Sequence, residues 1–405
     1  MKRVLVIGVG GDGRAGLSSA LQERIATADE LWGSARLLTQ WDDMAKKTIP
    51  MGANIAEQSA TLTERGDRQV VVLASGDPGF YGVASTLLRH LPPAEVEIIP
   101  HTSSLQVAFA RAGIPWSDAI FTSAHARSLA EVVGWARRTH KLGVLTDPEH
   151  TPALIARTLL DAGVPDCRAI VAENLGLPDE KLTDTRLNLL PNQSFGPLNV
   201  LLLIHEDDWQ PTPLFAPRPD DAYAHRHGLI TKRDVRMLAL GRLALHETDV
   251  VWDIGAGSGA VSVEMAELAW RETVYAIEQN NENIGYIQQN MDRYSILNLN
   301  LVAGHAPEAL ANLPAPNAVF IGGTGGEIEA IMQTIDRVAQ PGCRVVLNLV
   351  ALDNLNRALV YAEQLGWDMA VTQINIAEGQ MTAGHMRLAA LNPVFILSTT
   401  LKGSL

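Results

Sequence analysis

The sequence predicts an α/β protein built from two domains. Short apolar runs, typical of buried parallel strands, alternate with helical patterns along the chain, and two of these runs precede glycine-rich turns. A length of 405 residues exceeds what one core usually serves. Proline-rich, charged sequence without periodicity lies near the middle of the chain. We therefore expect domains at residues 1–207 and 223–405, joined by a linker at 208–222.

A glycine-rich turn dominates the second domain. The apolar run Val250–Trp252 predicts a strand, the sequence DIGAGSG follows it, and a helical pattern comes next. This order brings backbone against a nucleotide-like ligand at the carboxyl end of a strand, and glycine permits the close approach. We expect the turn to bind that ligand through Gly255, Ala256, Gly257, Ser258 and Gly259.

The glycine spacing resembles that of class I S-adenosylmethionine (SAM) methyltransferases. The turn has the pattern G-x-G-x-G, whereas dinucleotide-binding folds have G-x-G-x-x-G. The next predicted strand, Thr273–Ile277, is followed by Glu278, whose carboxylate can accept hydrogen bonds from both ribose hydroxyls. A tight turn beside a surface glutamate is the alternative.

Two later strand ends complete the predicted site. Leu299–Val302 precedes the position expected for the adenine, where we single out Gly304 and Ala306 as cofactor-binding. Ala318–Ile321 precedes a turn suited to a large planar substrate or, alternatively, a plain flexible turn. Its candidate substrate-binding residues are Gly322, Gly323, Thr324 and Gly325. Arg344–Leu349 predicts a fifth strand, and roughly 368–400 predicts a crossover helix followed by strands.

A basic cluster opens the second domain. Arg226, Lys232, Arg233 and Arg236 form either a solvated helix face or a surface that attracts a polycarboxylate near the cofactor. Thr231 is the expected N-cap of a helix that ends near Ala244. We expect Thr231 to bind cofactor and Arg226 and Arg233 to bind substrate. The candidates for a general acid or base are His227, Lys232 and His305.

The first domain repeats the strand–turn theme. The strand Val4–Ile7 precedes a turn at 8–13 and a helix from about Leu17 to Ala28, after which we expect no strand at 32–37. Asp77 follows the strand Val70–Ala74 and either binds ligand or starts a turn before Pro78. Ser103 and Ser104 begin a helix, as N-caps or as a carboxylate site. His125 binds substrate or caps locally.

The first half resembles the tetrapyrrole methylase family, the class III SAM methyltransferases. The matching segments are VIGVGGDG, SGDPGFYG, HTSSLQ, TSAHAR, ENLGLPDE and GPLNVLLL. The resemblance implies a fold of two α/β subdomains with SAM between them and substrate at His125 and Arg127. The implied cofactor contacts are Gly10, Gly11, Asp77, Phe80, Ser103 and Ser104. Gly11 departs from the family, which usually has proline there.

The second half resembles carbon-15 methyltransferase/decarboxylases of the cobalamin pathway, which have a Rossmann-like class I fold. The matching segments are GLITKRDVR, DIGAGSGAVSVE, AIEQNNENI, GHAPEAL, AVFIGGTGG and VVLNLV. Together the halves resemble the family of fused precorrin methyltransferases. This implies methylation of a tetrapyrrole at carbons 5 and 15 and decarboxylation of the ring C acetate. It also implies one SAM per domain and a homo-oligomer, either a dimer or a tetramer.

Composition limits the other classes of function. The net charge of −13 argues against nucleic acid as the main partner. Cys167 and Cys343 have no metal-ligand spacing, so we expect no metal and a reducing compartment. The absence of a leader or membrane span predicts a cytoplasmic protein. The alternatives are an RNA or protein methyltransferase whose first domain is a recognition module, a NAD-dependent oxidoreductase, and a non-catalytic ligand-binding protein.

Overall fold

The structure is a computed structural model that describes residues 2–44, 46–52, 54–125, 128–213, 217–226, 228–382 and 384–402. The chain divides into two compact units. The first comprises Met1–Arg127, Thr139–Leu160 and Val164–Gln210, and the second comprises Ser128–Arg138, Asp161–Gly163 and Pro211–Leu405. The main division therefore falls inside the stretch expected to be a linker. No pattern in the sequence predicts that 128–138 belongs to the second unit.

Short strands and helices build the first unit. Its strands are β1 (Val4–Val9), β2 (Glu30–Gly33), β3 (Lys47–Pro50), β4 (Val70–Ser75), β5 (Val96–Ile99), β6 (Ile120–Ser123), β7 (Lys141–Leu145), β8 (Arg168–Glu173), β9 (Lys181–Arg186) and β10 (Asn199–Ile204). The helices up to residue 161 are α1 (Ser19–Ala26), α2 (Ala35–Leu38), α3 (Ile55–Thr61), α4 (Ala84–Leu87), α5 (Ser104–Ala112), α6 (Ala130–Ala136) and α7 (Pro152–Asp161). Of these, α6 lies in the second unit.

The first unit has two sheets in the described part of the chain. One has the order β3-β2-β4-β1-β5 and is parallel throughout. The other has the order β6-β7-β10-β8-β9, in which β6 and β7 are parallel and the remaining pairs are antiparallel. In the first sheet the carboxyl ends of β1, β4 and β5 therefore lie at one edge, as the predicted site requires.

The expectation that no strand follows α1 is wrong. Residues Glu30–Gly33 form β2, which pairs with both β3 and β4. Leu31 and Trp32 are buried in apolar clusters on opposite faces of the sheet. A strand of four residues that is buried on both faces has no alternating pattern, so only the tertiary structure identifies it.

The second unit contains one large sheet and one hairpin among its described residues. The strands are β11 (Val251–Ile254), β12 (Val274–Glu278), β13 (Leu299–Ala303), β14 (Ala318–Ile321), β15 (Arg344–Leu349), β16 (Ala370–Ile374), β17 (Ala377–Thr382), β18 (His385–Ala390) and β19 (Val394–Thr400). The helices are α8 (Arg233–Leu243), α9 (Ala260–Leu268), α10 (Asn281–Tyr294), α11 (Ile328–Val338) and α12 (Leu352–Leu365).

The large sheet has the order β13-β12-β11-β14-β15-β19-β16. Its first five strands are parallel, and β19 is antiparallel to both of its neighbours. Apolar residues of α8, α9 and α10 pack on one face, and those of α11 and α12 pack on the other. The strand order reverses between β11 and β14, so a crevice opens at their carboxyl ends, where open α/β sheets bind ligands.

Two expectations for the second unit are wrong. Residues 368–400 contain strands β16–β19 and no helix in their described part, because the crossover helix α12 ends earlier, at Leu365. Helix α8 has Lys232 rather than Thr231 as its N-cap, and no side chain caps it. None of the described helices is long and apolar enough to cross a membrane.

Candidate functional site

The glycines of the 255–259 turn have three different surroundings. All three have positive φ angles, between 58° and 76°. A Cβ atom on Gly255 would lie 2.4 Å from the Gly323 carbonyl oxygen, and one on Gly259 would lie 2.9 Å from the Ile287 side chain. A Cβ atom on Gly257 would meet no described atom within 4 Å. We call the open space beside Gly257 the cradle, and the contact of Gly257 with a cofactor stays a prediction.

The carboxylate of Glu278 is held in place beside this turn. Its Oε2 accepts a hydrogen bond from the Gly257 amide at 2.8 Å, and its Oε1 accepts from the amides of Gln279 and Asn280 at 2.9 and 2.8 Å. Oε1 has used both of its lone pairs on these two amides, whereas Oε2 retains one for a further donor. The residue is 7% exposed, so its orientation is fixed before any ligand binds.

Asp253 and the turn residues Ala256 and Ser258 are buried. Asp253 accepts a hydrogen bond from the Ser262 hydroxyl through Oδ2, while its Oδ1 has no partner among the described residues. Burial, with a smaller contribution from the charge of Glu278, raises the pKa of Asp253 to about 7. The Ala256 amide donates to the Ile277 carbonyl at 3.0 Å, and the Ser258 carbonyl accepts from Asn290 at 2.9 Å.

The predicted adenine segment follows β13. The side chain of Ala306 is 8% exposed and packs in the apolar cluster that contains Ile277 and Leu310. A Cβ atom on Gly304 would lie 3.0 Å from the Ala309 Cβ. The Nδ1 atom of His305 is 3.4 Å from Glu308, and its Nε2 would lie 2.8 Å from a Cβ on Gly325. The structure therefore brings His305 against the turn that follows β14.

That turn consists largely of exposed backbone. Gly322, Gly323 and Gly325 are exposed, and the amides of Gly322 and Gly323 donate to the Ile254 carbonyl at 2.9 and 3.3 Å. The Thr324 hydroxyl accepts from the Gly326 amide at 3.4 Å. The segment thus lies beside the 255–259 turn, because Gly255 packs on Gly323.

The basic cluster is only partly a surface feature. Arg236 is 0% exposed, and its guanidinium binds Glu264 at 3.2 Å and Asp220 at 2.9 Å. The interpretation of Arg236 as part of an exposed patch is therefore wrong. Lys232 pairs with Asp220 at 3.3 Å, and Arg233 pairs with the adjacent Asp234 at 3.3 Å. Arg226 is exposed, Thr231 is half-buried, and His227 lies outside the described residues.

Loops of the first unit meet around β1. A Cβ atom on Gly10 would lie 2.5 Å from the His101 ring, and one on Gly11 would lie 2.2 Å from the Leu175 carbonyl oxygen. The glycine at position 11 therefore permits contact with the loop that follows β8. A Cβ atom on Gly8 would lie 2.2 Å from the Gly76 carbonyl oxygen, so the turn after β4 reaches the same place.

The other first-unit candidates take part in local structure. The Asp77 Oδ1 accepts from the Gly79 amide at 2.8 Å, so Asp77 does start a turn. Ser103 caps α5 in a capping box with Gln106, and Ser104 is the first residue of that helix. Phe80 makes an edge-to-face contact with Phe121 at 5.5 Å between ring centroids. These contacts are all local, and the binding of a cofactor by these residues stays a prediction.

His125 follows β6, and its side chain is 71% exposed. Its Nδ1 is 3.8 Å from the Oδ2 of Asp147, and its amide donates to the Ser123 hydroxyl at 3.2 Å. Arg127 lies outside the described residues. Within the described part of the chain, no cluster of three or more His, Cys, Asp or Glu side chains could hold a metal ion.

Sequence reasoning missed three polar residues near these sites. Asn290 ties the Ser258 carbonyl to both the amide and the carbonyl of Ala224. Asn348 has both side-chain polar atoms buried without a partner among the described residues. Asp147 contacts two histidines. The one sequence feature that could have pointed to Asn348 is its position near the end of a predicted strand. Asn290 lies within a helix, and no sequence feature distinguishes it.

Comparisons with known proteins agree on both halves. Residues 3–191 match the family of tetrapyrrole (corrin/porphyrin) methylases, and residues 221–400 match the precorrin methyltransferase domain. The precorrin-6Y C(5,15)-methyltransferase [decarboxylating] of a Sinorhizobium species is 34% identical over 382 residues, which cover 94% of this chain and 92% of that protein.

Two further relatives match about half of the chain. The probable cobalt-precorrin-6B C(15)-methyltransferase (decarboxylating) of Pyrobaculum calidifontis is 36% identical over 183 residues, which cover 44% of this chain and 93% of that protein. The crystal structure of precorrin-6Y C5,15-methyltransferase from Geobacter metallireducens is 37% identical and covers 47% of this chain and 98% of that chain, with a TM-score of 0.45.

Proposed function

The chain belongs to the family of decarboxylating precorrin-6Y C(5,15)-methyltransferases, and from this premise we propose how its two halves share the reaction. It is a SAM-dependent methyltransferase that methylates a precorrin at carbons 5 and 15 and decarboxylates the ring C acetate in cobalamin biosynthesis. We propose that the first half methylates carbon 5. The second half methylates carbon 15 and carries out the decarboxylation.

Each half binds its own SAM in this proposal. The observation that carries it is the presence of a separate glycine-turn arrangement in each unit, around Gly10 in the first and Gly257 in the second. In the second unit Gly257 leaves open space, and Oε2 of the fixed Glu278 carboxylate can still accept from a ribose hydroxyl. In the first unit the turn with Asp77 and Phe80 follows β4, and Ser103 and Ser104 begin α5 after β5, at the carboxyl edge of the first sheet.

Bound SAM supplies an electrophilic methyl group on a sulfonium ion. The protein's contribution is to align the donor with a nucleophilic meso carbon and to exclude water, which is catalysis by positioning. The turn from Gly322 to Gly325 accommodates the flat ring, because three of its four residues have no side chain. Arg226 and Arg233 attract the acetate and propionate groups of the substrate.

Proton transfer accompanies the decarboxylation, because loss of carbon dioxide leaves a carbanion that must be protonated. His305 and Lys232 are the described candidates, and His227 is the third. His305 is the best placed of them, since its ring adjoins the turn at Gly325 while Glu308 orients its Nδ1.

Two further features of the proposal concern assembly and location. We infer a homo-oligomer, a dimer or a tetramer, supported by the exposed apolar side chains of Met381, Met386 and Leu388 on the β17–β18 hairpin. Sedimentation velocity tests this, and a monomer at all concentrations would contradict it. Two buried, free cysteines support a location in the cytoplasm.

The test combines stoichiometry with product analysis. Calorimetric titration of the whole chain with S-adenosylhomocysteine should give two sites, and a stoichiometry of one would contradict the proposal. Incubation with SAM and either a metal-free or a cobalt-bearing ring substrate should give product masses with two methyl gains and one carboxyl loss. The alternatives of an oxidoreductase or an RNA methyltransferase would give no such product.

A further inference from the structure

Two histidines share one buried carboxylate in the first unit. The Asp147 side chain is 7% exposed, and its Oδ2 is 3.3 Å from the Nδ1 of His150 and 3.8 Å from the Nδ1 of His125. Its Oδ1 accepts hydrogen bonds from the amides of Glu149 and His150 at 2.9 and 2.5 Å. The carboxylate is thereby fixed by backbone. It lies within hydrogen-bond distance of His150 and within ion-pair distance of His125.

The carboxylate and its two histidines lie at the edge of the second sheet, near the Gly-Asp-Pro turn that contains Asp77. Strands β6 and β7 are parallel neighbours with Ser123 opposite Leu145, so His125 and Asp147 follow adjacent strand ends. The Tyr81 hydroxyl donates to the Phe121 carbonyl at 2.8 Å, which brings the turn that contains Asp77 to β6. The turn with the proposed cofactor contacts and the histidine pair thus meet on one strand.

Methylation at carbon 5 requires the removal of a proton, and alignment of the two reactants does not by itself supply a group that accepts it. The bond between the sulfonium sulfur and the methyl group breaks as the bond from that methyl to carbon 5 forms. Sulfur leaves as a neutral thioether, and the macrocycle gains the positive charge while carbon 5 still carries its hydrogen. Loss of that hydrogen as a proton restores the neutral conjugated ring, so a base must accept it.

We propose that His125 is this base and that Asp147 is the residue that positions it. With Nδ1 directed at Asp147, the opposite ring nitrogen, Nε2, is the one that takes the proton from carbon 5. The carboxylate then stabilises the imidazolium, as in other carboxylate–histidine pairs. His125 is the better candidate of the two histidines because its side chain is 71% exposed, against 21% for His150. This inference rests on the proposed assignment of carbon-5 methylation to the first half.

The test is a kinetic isotope effect on the whole chain. The substrate carries deuterium or hydrogen at carbon 5. Release of that isotope from the methylated carbon 5 is followed by mass in the wild type, His125→Ala, Asp147→Asn and His150→Gln. His125→Ala should lower the turnover number for carbon 5 by about 100-fold or more, a typical loss for a general base. Proton removal becomes rate-limiting in that variant, so a primary isotope effect should appear, and added imidazole should restore part of the rate.

The controls distinguish a base role of His125 from a role in substrate binding. They also distinguish failure of this inference from failure of the proposed function. Asp147→Asn should show the same isotope effect with a smaller loss, and His150→Gln should keep the wild-type effect. A His125→Ala variant that only raises KM, or an isotope effect that follows His150 instead, would overturn the inference. If the wild-type chain transfers no methyl group to carbon 5, the proposed function itself fails.

Discussion

The backbone of Gly255 packs so closely on Gly323 that a Cβ atom at position 255 would lie 2.4 Å from the Gly323 carbonyl oxygen. Two residues later, a Cβ atom on Gly257 would meet no described atom within 4 Å. Both glycines have positive φ angles, so substitution strains both in the same way. They differ only in what surrounds them, and this makes them a matched pair.

We expect Gly255→Ala and Gly257→Ala to separate folding from cofactor binding. Gly255→Ala should destabilise the second unit by about 3 kcal/mol or more, because a clash with backbone adds to the strain. Gly257→Ala should cost only about 1–2 kcal/mol but remove SAM binding at the second site, since its methyl group enters the cradle. Thermal unfolding and calorimetry measure the two effects. Unchanged cofactor binding in Gly257→Ala would contradict the placement.

Asn290 and Asn348 should respond in opposite ways to one substitution. Asn290→Leu removes hydrogen bonds to Ala224 and Ser258 and should cost about 3 kcal/mol, since three backbone groups lose their partner. Asn348→Leu removes two buried polar atoms that have no partner among the described residues. It should stabilise the fold by about 1 kcal/mol after the cost of a larger side chain. Denaturant unfolding gives both values. Two losses of equal size would show that Asn348 has a structural partner.

The buried carboxyl of Asp253 should make stability depend on pH. Its pKa rises from 3.8 to about 7 on folding, so between these values the folded chain holds a proton that the unfolded chain has released. Stability from this group is therefore full below pH 4 and is lost as the pH rises towards 7.

Asp253→Asn removes this dependence while Asn can still accept the Ser262 hydrogen bond. The variant should gain stability relative to the wild type between pH 5 and pH 8, by up to about 3 kcal/mol at 1.36 kcal/mol per pH unit. Urea unfolding at a series of pH values measures the difference. A difference that stays constant across this range would show that the carboxyl has an ordinary pKa.

The ion pair between Arg236 and Glu264 is fully buried, and this predicts a large cost for breaking it. Both side chains are 0% exposed. Arg236→Met leaves Glu264 without its cation and should cost about 3–5 kcal/mol. The control is Arg233→Met, one turn earlier on the same helix. Arg233 is exposed and its guanidinium pairs with the adjacent Asp234, also exposed, so its loss should stay within about 0.5 kcal/mol. Equal losses would contradict the distinction between the two arginines.

Much of the candidate site could be predicted because each of its turns follows a strongly apolar strand. The 255–259 turn, Glu278 and the turn at 322–325 occupy consecutive strand ends, and parallel strands bring such ends to one edge of the sheet. The same logic placed Asp77 and Ser103 in the first unit. The same reasoning missed the four-residue strand β2 and expected a helix after residue 368, although α12 ends at Leu365.

The burial and the ion-pair partners of the charged residues could not be predicted in the same way. Arg226, Lys232, Arg233 and Arg236 are close in sequence, but the structure buries Arg236 against Glu264 and leaves Arg226 exposed. Of the two acids that pair with Arg236, Glu264 comes from α9, about one strand and one turn away along the chain. Sequence adjacency carries no information about such a partner, because packing of separate helices selects it.

The sequence by itself determined that this protein has two α/β halves and that each half presents glycine turns at the carboxyl ends of its strands. It did so because hydrophobic periodicity and the φ angles open to glycine are local properties of the chain. Only the tertiary structure decided which polar groups have partners. It gives Asn290 three backbone partners, leaves the Asn348 amide without a partner in the described part of the chain and places two histidines beside Asp147, because packing alone brings these residues together.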